Sequence, residues 1–511
     1  MTFVMTPCLV YYKYMNPIQL LRDFVIKNPL LSVMLVACLW ALAFQGSRGL
    51  LEPDEGRYSN VALQILQHND WISLYRNQES LHFTKPPLTY WLIASSVSVF
   101  GYNEWAVRLP IALAFILSIF LTYQLGKTFV PKRPWLPALF LLGSPVAYFA
   151  SNTVNTDGVL AAMLTLAMCC FVKARFAGGN QRWLDAMWLT FGLAFLTKGP
   201  PALLPLLVIV VFELWHNNAK TLIRPWGLLA FSVVGLCWYA LVIQRHPGLL
   251  DYFLGHEVYA RIATDTHARN SEWYGGFKVY VPVLLLGLLP WLVVWAKQSY
   301  AKTAEHSALP LLQKRFLWLW LLLPLFIFFL SQSRLYLYIL GLFVPACLLL
   351  AQRLQTWRIG TGAQLGIILW LLLLLGIKGL APILLDGNGK DSRAFATDIR
   401  PMLPGHPNQI IFVEDMSRNG LNLYFQTNIK KVSFVSKPKP ISDSSHDSSL
   451  AEELQRPNDQ RIFIMKRDIE TRFLVETVKA SHTPIKLGEW IEKKNPSNRD
   501  RMIYTLNNEF Q

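Results

Sequence analysis

Residues 363–385 read AQLGIILWLLLLLGIKGLAPILL, an apolar run with one charged side chain, Lys378. A helix needs about 20 apolar residues to cross the hydrocarbon core of a bilayer. The run therefore predicts a membrane-spanning helix, and similar runs begin at residue 30. The predicted spans are residues 30–50, 105–125, 135–152, 157–176, 183–198, 200–215, 225–244, 278–297, 316–332, 335–352 and 363–385. The predicted fold class is an α-helical polytopic membrane protein with about 11–13 transmembrane helices.

The composition agrees with a membrane protein. Of 511 residues, 53% are hydrophobic and 16% are charged, whereas soluble globular proteins carry about 25% charged residues. The formal net charge is +16, but much of the Lys and Arg lies in short loops, as the positive-inside rule describes. We therefore assign the basic excess to topology and to contact with membrane lipid, and we expect no nucleic-acid partner. Five of the six cysteines lie in apolar segments, so neither a disulfide framework nor zinc spacing is predicted.

The same charges predict an orientation. If the short amphipathic segment 88–100 does not cross, the basic loops near residues 127–133, 173–182, 220–224 and 353–358 all fall in the cytoplasm. The segment 1–28 is then cytoplasmic, and residues 29–385 form the membrane domain with long outside loops at about 47–104 and 245–277. Residues 386–511 form a separate polar domain on the outside.

The polar domain has the pattern of a small α/β fold. Its predicted β-like runs are Gln409–Val413, residues 421–425, 431–435, 461–465 and 501–505. Asp468 is the predicted cap of a helix from residue 469 to about 480. Residues 437–459 are rich in Ser, Asp and Pro and predict a flexible loop.

Two segments of the first outside loop carry chemistry. The first is EPDEGRY at residues 52–58, where Pro53 and Gly56 shape a turn and Arg57 supplies a counter-charge to the acidic side chains. Alone, this segment also fits a solvated loop start. The second is HFTKPPLTYW at residues 82–91, where two prolines begin a helix. There Lys85 is either an interfacial anchor or a point charge offered to a phosphate.

These segments resemble the aminoarabinose transferases that modify lipid A and, more widely, the GT-C membrane glycosyltransferases, which include the protein O-mannosyltransferases. The motifs that carry the resemblance, in order, are DEGRY at 54–58, KPPLTYW at 85–91, NEWAVRLP at 103–110, NTD at 155–157, LTKGP at 196–200 and SQSRLY at 331–336. The resemblance covers residues 30–355, with a similar layout beyond. It implies a GT-C type membrane domain in a bacterial inner membrane, with a cytoplasmic N-terminus and a periplasmic C-terminal domain.

The resemblance also implies roles for single residues. Asp54 matches the catalytic loop carboxylate, and Asp157 matches a second essential acidic residue. Arg57, Tyr58 and Lys85 match residues that line the site of the carrier phosphate. Further candidates are Arg334 for the donor phosphate, Lys198 as either a phosphate ligand or a structural lysine, and Glu55, His256, Glu257 and His267 for the substrate site.

One position departs from the family pattern. The aminoarabinose transferases carry Glu directly before Lys-Pro-Pro, where this chain has Thr84. That Glu resembles a metal ligand paired with a histidine of the second outside loop. Its replacement leaves a divalent metal an open question, and no other cofactor is predicted.

The predicted activity is transfer of a sugar from undecaprenyl phosphate, a polyprenyl-phosphate donor, to an envelope acceptor, with inversion. Lipid A is the first acceptor to consider, followed by protein hydroxyls and surface polysaccharide. A membrane transporter is the alternative from another class, although the chain shows no internal repeat of the kind that transporters carry. A structural protein whose C-terminal domain binds envelope partners is a third reading.

Overall fold

The computed structural model of the protein describes residues 27–259, 269–300, 309–435, 446–456, 460–492 and 500–506. A helical bundle is followed by a domain built on one sheet. The helices of the bundle are α1 Pro29–Leu42, α2 Asp54–His68, α3 Leu88–Phe100, α4 Glu104–Phe129, α5 Leu136–Leu142, α6 Pro145–Ser151, α7 Thr156–Phe176, α8 Arg182–Lys198, α9 Leu204–Trp215, α10 Pro225–Arg245, α11 Leu249–Asp251, α12 Gly275–Tyr300, α13 Leu311–Leu330, α14 Phe343–Leu354 and α15 Thr361–Leu384.

Short 3-10 turns and one π-helix connect some of these helices. The 3-10 turns in the bundle are Pro200–Leu203, Ala219–Leu222 and Tyr336–Leu342, and the π-helix is Tyr252–Tyr259. The turn over Tyr336–Leu342 leads directly into α14, so the two together form one apolar segment.

Within the described ranges, seven helices are long and apolar enough to cross a membrane. They are Glu104–Phe129, Thr156–Phe176, Pro225–Arg245, Gly275–Ser299, Leu311–Leu330, Tyr336–Leu354 and Thr361–Leu384. The polytopic helical class is therefore confirmed, but the other four predicted spans are shorter or interrupted. Helix α1 has 14 residues, about 21 Å at 1.5 Å per residue, less than the roughly 30 Å hydrocarbon core.

Prolines explain two of the interruptions, because a proline lacks the N–H that an α-helix requires. The predicted span 135–152 is divided into α5 and α6, and Pro145 is the first residue of α6. The predicted span 200–215 begins as a 3-10 turn at Pro200 before α9 continues it.

Helices α4 and α7 lie at the centre of the bundle, because most of their apolar surface is buried by other helices. Helices α12 and α15 are peripheral, since most of their apolar surface is exposed. A peripheral helix that is apolar on every side suits contact with lipid, where such a surface costs nothing to expose. The predicted amphipathic segment 88–100 is α3, a helix of 13 residues that is too short to cross.

Contacts between distant segments join loops that were predicted to share a side. Arg175 pairs with Glu213 at 2.9 Å, and Arg224 pairs with Asp185 at 2.8 Å, all four near predicted cytoplasmic ends. At the other end, the C-terminal domain contacts the first outside loop. This grouping agrees with the charge pattern, while the side that faces the cytoplasm stays a prediction.

The C-terminal domain is built on a six-stranded mixed sheet in the order β3-β2-β1-β4-β6-β5. The strands are β1 Gln409–Val413, β2 Asn428–Ser433, β3 Ser448–Ser449, β4 Arg461–Lys466, β5 Pro484–Trp490 and β6 Arg501–Leu506. Strands β3, β2, β1 and β4 run parallel, whereas β6 is antiparallel to both β4 and β5. The helices of this domain are α16 Ser392–Ile399, α17 Leu421–Phe425, α18 Leu450–Leu454 and α19 Arg467–Lys479, with a 3-10 turn at Arg400–Met402.

Four of the five predicted β-like runs overlap with strands, but the strand prediction for residues 421–425 is wrong. They form the helix α17, because Leu421 and Phe425, four residues apart, are both buried on one side. Five apolar-rich residues fit either period, so the pattern alone did not decide between strand and helix.

Three further corrections concern the predicted loop and its surroundings. The described part of residues 437–459 contains β3 and α18, and Ser449 and Glu452 form a capping box for that helix. Helix α19 begins at Arg467 with Lys466 as its N-cap, so Asp468 lies in the first turn instead. Strand β5 was missed.

Candidate active site

An apolar cavity of about 610 Å³ opens among the ends of several bundle helices. Its charged lining residues are Lys85 from the first outside loop, Asp157 from the first turn of α7 and Lys198 from the end of α8. Much of the remaining wall is apolar and includes Leu160, Leu164, Phe195, Leu236, Phe253, Pro324, Phe328 and Leu337. The shape suits an elongated apolar ligand with an anionic end.

Asp157 and Lys198 form an ion pair in the wall of the cavity. Their side chains are only 14% and 8% exposed, respectively. Asn155 caps α7 by accepting a hydrogen bond from the Gly158 N–H at 2.7 Å, and this fixes Asp157 in the first helical turn. The Lys198 ammonium also lies 4.2 Å from the centre of the Tyr338 ring. The lysine is therefore held inside the site and does not extend to the membrane surface.

A second ion pair lies on the first turn of α2, where Arg57 donates to Asp54 at 2.6 Å. The Asp54 side chain is 68% exposed, so it faces away from the core and is accessible to a reactant. Burial raises the pKa of Tyr58, Arg57 opposes this effect, and the charges of Asp54 and Asp157 add to it. Tyr58 is thus sensitive to the charges of both acidic residues, although Asp54, Arg57 and Tyr58 are not among the residues that line the cavity.

His82 and Thr84 extend the basic side of the site. The Thr84 hydroxyl and His82 Nε2 are 2.9 Å apart, and Thr84 lines the cavity next to Lys85. Burial lowers the pKa of His82 well below its usual range, and the cations Arg76, Arg57 and Lys85 lower it further. A neutral imidazole thus lies near three basic side chains, of which Arg57 and Arg76 are paired with carboxylates.

The described part of the chain contains no group of three His, Cys, Asp or Glu residues that is arranged to hold a metal. At the position where the family pattern has an acidic residue, Thr84 offers a neutral hydroxyl that already bonds to His82. His267 lies outside the described residues, as do the side chains of His256 and Glu257.

Glu55 lies deep in the protein, with its side chain only 4% exposed. Its carboxylate accepts hydrogen bonds from Arg48 at 2.5 Å and from Arg108 at 3.0 Å, and also from the N–H groups of Leu51 and Val154. Burial alone would raise the pKa of Glu55, but Arg108 and Arg48 outweigh burial and lower it to about 2. These contacts show a carboxylate that anchors α2 to the bundle, away from the cavity.

Arg334 is also engaged with the protein itself. Its guanidinium donates to the backbone carbonyls of Asn270 at 2.5 Å, Glu272 at 2.9 Å and Phe329 at 2.9 Å. These bonds tie the second outside loop to the segment after α13. Arg334 is not among the residues that line the cavity, so its predicted role at the donor phosphate gains no support from this arrangement.

Sequence reasoning missed several charged residues around α2. Arg48, Arg108 and Glu52 are buried, and Arg393 pairs with Glu104 at 2.7 Å. The side-chain partners of Glu52, for example, lie 340 and 368 residues away along the chain. One sequence signal could have identified these residues: they are charged residues next to apolar runs, and a charged side chain that is buried needs a partner.

The sequence is similar to those of known membrane glycosyltransferases. Residues 84–243 match the dolichyl-phosphate-mannose-protein mannosyltransferase family. The chain is 32% identical over 364 residues to the undecaprenyl phosphate-alpha-4-amino-4-deoxy-L-arabinose arabinosyl transferase 2 of Pseudomonas fluorescens strain Pf0-1, covering 69% of this chain and 64% of that relative. The corresponding transferase of Pseudomonas aeruginosa strain UCBPP-PA14 is 31% identical, with 68% and 65% covered. The match thus spans less than two thirds of the length of these relatives.

The fold is similar to that of a solved structure. ArnT from Cupriavidus metallidurans, determined with bound undecaprenyl phosphate, superposes with a TM-score of 0.72 at 19% sequence identity, covering 94% of this chain and 98% of that one. The arabinofuranosyltransferase AftD from Mycobacteria superposes with a TM-score of 0.54 at 12% identity, covering 94% of this chain and 40% of that one. In sequence the chain is similar to GT-C membrane glycosyltransferases, and its fold is ArnT-like.

Proposed function

We propose that this protein transfers a sugar from undecaprenyl phosphate to an acceptor of the cell envelope, with lipid A as the leading acceptor. One observation carries the proposal: an apolar cavity of about 610 Å³ has Lys85, Lys198 and Asp157 in its wall. The cavity suits a polyprenyl chain, and its cations suit the phosphate. The relatives named above are transferases of a sugar carried on undecaprenyl phosphate, which supports the same donor here.

The basic residues act on the leaving group. The acceptor oxygen attacks the anomeric carbon while the bond from that carbon to the phosphate oxygen breaks, and its electron pair stays on undecaprenyl phosphate. Negative charge grows on that phosphate in the transition state, and Lys85, Arg57 and Lys198 stabilise it from a site of low dielectric. A single displacement of this kind inverts the anomeric carbon.

Asp54 acts on the acceptor side of the reaction. Its exposed carboxylate is the general base if the acceptor is a hydroxyl, and it then takes the proton of that hydroxyl. If the acceptor is a phosphate of lipid A, no proton has to leave, and Asp54 orients the acceptor or stabilises the positive charge on the sugar ring. No step of this scheme requires a metal.

The acceptor and the orientation complete the proposal. Lipid A ranks before a protein hydroxyl or a surface polysaccharide, because both relatives are named as aminoarabinose transferases. We place the protein in the bacterial inner membrane, with the N-terminus in the cytoplasm and the C-terminal domain in the periplasm. Cysteines introduced at Lys132 and Glu476 test this orientation: an impermeant thiol reagent applied to spheroplasts should label only position 476.

Mass spectrometry of lipid A tests the function. A deletion strain should lose an amino-sugar adduct that returns on complementation, under conditions in which the gene is expressed. Membranes containing the protein should transfer radiolabelled sugar from undecaprenyl phosphate to lipid A. An unchanged lipid A spectrum would reject this acceptor, and flux of the donor without transfer would reject a transferase in favour of a transporter.

A further inference from the structure

Glu52 is a buried carboxylate at the junction between the membrane domain and the C-terminal domain. Its Oε1 accepts a hydrogen bond from the Ser392 hydroxyl at 2.8 Å and another from the Gly420 N–H at 2.6 Å. Both donors belong to the C-terminal domain, 340 and 368 residues further along the chain. Glu52 itself lies two residues before Asp54, so the bonds connect the domain to the turn that carries the candidate catalytic carboxylate.

The backbone reinforces this connection. The Glu52 N–H donates to the Lys390 carbonyl at 2.9 Å, and the Ser392 N–H donates to the Leu50 carbonyl at 2.9 Å. These two bonds form an isolated antiparallel bridge between Leu51 and Asp391. The segment before α2 is therefore paired with the C-terminal domain through both main chain and side chain.

Two glycines lie against the Glu52 carboxylate, and a side chain at either position would collide with it. A Cβ at Gly56 would lie 2.3 Å from both carboxylate oxygens, and a Cβ at Gly420 would lie 2.9 Å from Oε1. Gly56 is in the first turn of α2, and Gly420 precedes α17. The carboxylate is thus packed between the helix that carries Asp54 and the C-terminal domain, which fixes its direction.

A cation of the C-terminal domain acts electrostatically on the same carboxylate. The charge of Arg418 lowers the pKa of Glu52, in opposition to the larger effect of burial. The Arg418 guanidinium lies 4.0 Å from the centre of the Phe395 ring and 5.0 Å from that of Trp490. Two aromatic rings therefore hold this cation in position beside the junction.

The first turn of α2 is consequently fixed by acidic residues on both sides of Asp54. Glu55 is held by Arg48 and Arg108 of the bundle, whereas Glu52 is held by the C-terminal domain. Asp54 alone faces outward. We infer that Glu52 is a positioning residue through which the C-terminal domain sets the orientation of the Asp54 turn. The kinetic part of this inference rests on the proposed transferase activity, whereas the structural part does not.

Hydrogen exchange of the full-length protein in detergent tests the structural part. Glu52→Ala should speed exchange of the amides of residues 50–58 and 390–393 at least about tenfold, because both the side-chain bonds and the bridge are weakened. Glu52→Gln keeps an oxygen that accepts both hydrogen bonds and should exchange as the wild type does. Glu52→Asp keeps the charge but is one methylene too short, so it should resemble Glu52→Ala.

Glu414 provides a matched control. Its Oε1 accepts from the Ser433 hydroxyl at 2.7 Å and from the Phe434 N–H at 2.8 Å, a similar pair of donors that lies entirely within the C-terminal domain. Glu414→Ala should leave exchange at residues 50–58 unchanged. If Glu52→Ala does not fold, Ser392→Ala removes one of the two side-chain bonds and should give a smaller change in the same amides.

Transfer kinetics test the consequence for the reaction. Glu52→Ala should lower kcat by at least about tenfold with KM for the donor nearly unchanged, since the cavity is not altered, and Glu52→Gln should restore kcat. Wild-type exchange in both Glu52→Ala and Ser392→Ala would overturn the inference. The wild-type protein could show no transfer at all while Glu52→Ala still exchanges faster than the wild type. That result would reject the proposed function and leave the positioning contact established.

Discussion

Asp54 and Glu55 are neighbours in the chain, yet their carboxylates lie in opposite environments. The side chain of Asp54 is 68% exposed and has one partner, whereas that of Glu55 is 4% exposed and bonds to two arginines. The helical turn that separates adjacent side chains by about 100° explains the difference. At the scale of the residue, the proposed chemistry is that of the exposed Asp54, whereas Glu55 anchors α2.

Asp54→Asn should therefore abolish transfer without affecting the fold. We expect a loss of at least about 100-fold in kcat, because a neutral amide can neither take the proton of a hydroxyl acceptor nor stabilise the positive charge on the sugar ring, with unchanged expression and thermal denaturation. Radiolabelled transfer in membranes measures the first quantity. Asp468→Asn, an exposed aspartate in the first turn of α19, is the control and should retain full activity. An Asp54→Asn variant with wild-type turnover would remove this residue from the mechanism.

The Asp157–Lys198 pair allows a separation of stability from activity. Lys198→Met leaves a buried carboxylate without its partner, which typically costs about 3–5 kcal/mol, so the variant should melt at lower temperature. Adding Asp157→Asn removes the unpaired charge and should recover most of the stability while transfer stays lost. Thermal denaturation and transfer assays on the single and double variants measure both effects. Recovery of transfer in the double variant would show that the pair is only structural.

At the scale of the element, α2 is a short helix whose environment is set from two sides. The bundle holds it through Glu55, and the C-terminal domain holds it through Glu52 and through Asn422 of α17, which donates to Asn60 at 2.8 Å. An isolated helix needs more than about 12–15 residues to be stable in water. Helix α2 has 15 residues and lies at that limit. Its geometry therefore depends on these contacts more than on its own propensity.

Gly56→Ala tests this dependence through a change of sign. In an open helix interior, replacing Gly with Ala stabilises by about 1 kcal/mol. Here the new Cβ would lie 2.3 Å from the Glu52 carboxylate oxygens, so we expect a lower melting temperature. In a Glu52→Ala background the clash is absent, and the same substitution should raise the melting temperature. Stabilisation by Gly56→Ala in both backgrounds would contradict the packing described here.

At the scale of the whole molecule, the C-terminal domain is joined to the first outside loop by charged contacts well beyond Glu52. Lys430 pairs with Glu79 at 3.1 Å, and Arg76 pairs with Asp447 at 2.5 Å.

Burial raises the pKa of Glu52 from 4.5 to about 7. The hydrogen bonds from the Gly420 N–H and from Ser392 and the charge of Arg418 oppose this rise in pKa, whereas the charge of Glu55 adds to it. The junction thus contains a group that titrates near neutral pH.

The sign of the resulting pH dependence follows from linkage. A folded-state pKa above the unfolded value means that the folded protein binds the proton more tightly. The contribution of Glu52 to stability is full below pH 4.5 and is lost as the pH rises to about 7. Melting temperatures measured from pH 5 to 8 should therefore fall more for the wild type than for Glu52→Gln, which does not titrate. Parallel curves for the two proteins would contradict the assignment.

Much of the architecture was predictable because lipid imposes a local rule: each spanning segment must be apolar along its own length. Long runs such as residues 363–385 could therefore be recognised one at a time. The motif at 54–58 and the Lys85 segment were equally local, and their resemblance to the GT-C glycosyltransferases predicted a phosphate-linked substrate. For short segments such as residues 421–425, the sequence did not decide between helix and strand, because five residues fit both the helical and the strand periodicity of apolar side chains.

The sequence by itself thus determined the membrane class, the grouping of loops by charge and the residue types of the site. Only the tertiary structure decided which charges serve the reaction and which hold the protein together. Glu52, Glu55, Asp157 and Lys198 all lie near predicted membrane boundaries, and each has a partner that is 41 to 368 residues away along the chain. A buried charge is defined by its partner, and such partners are brought together only by folding.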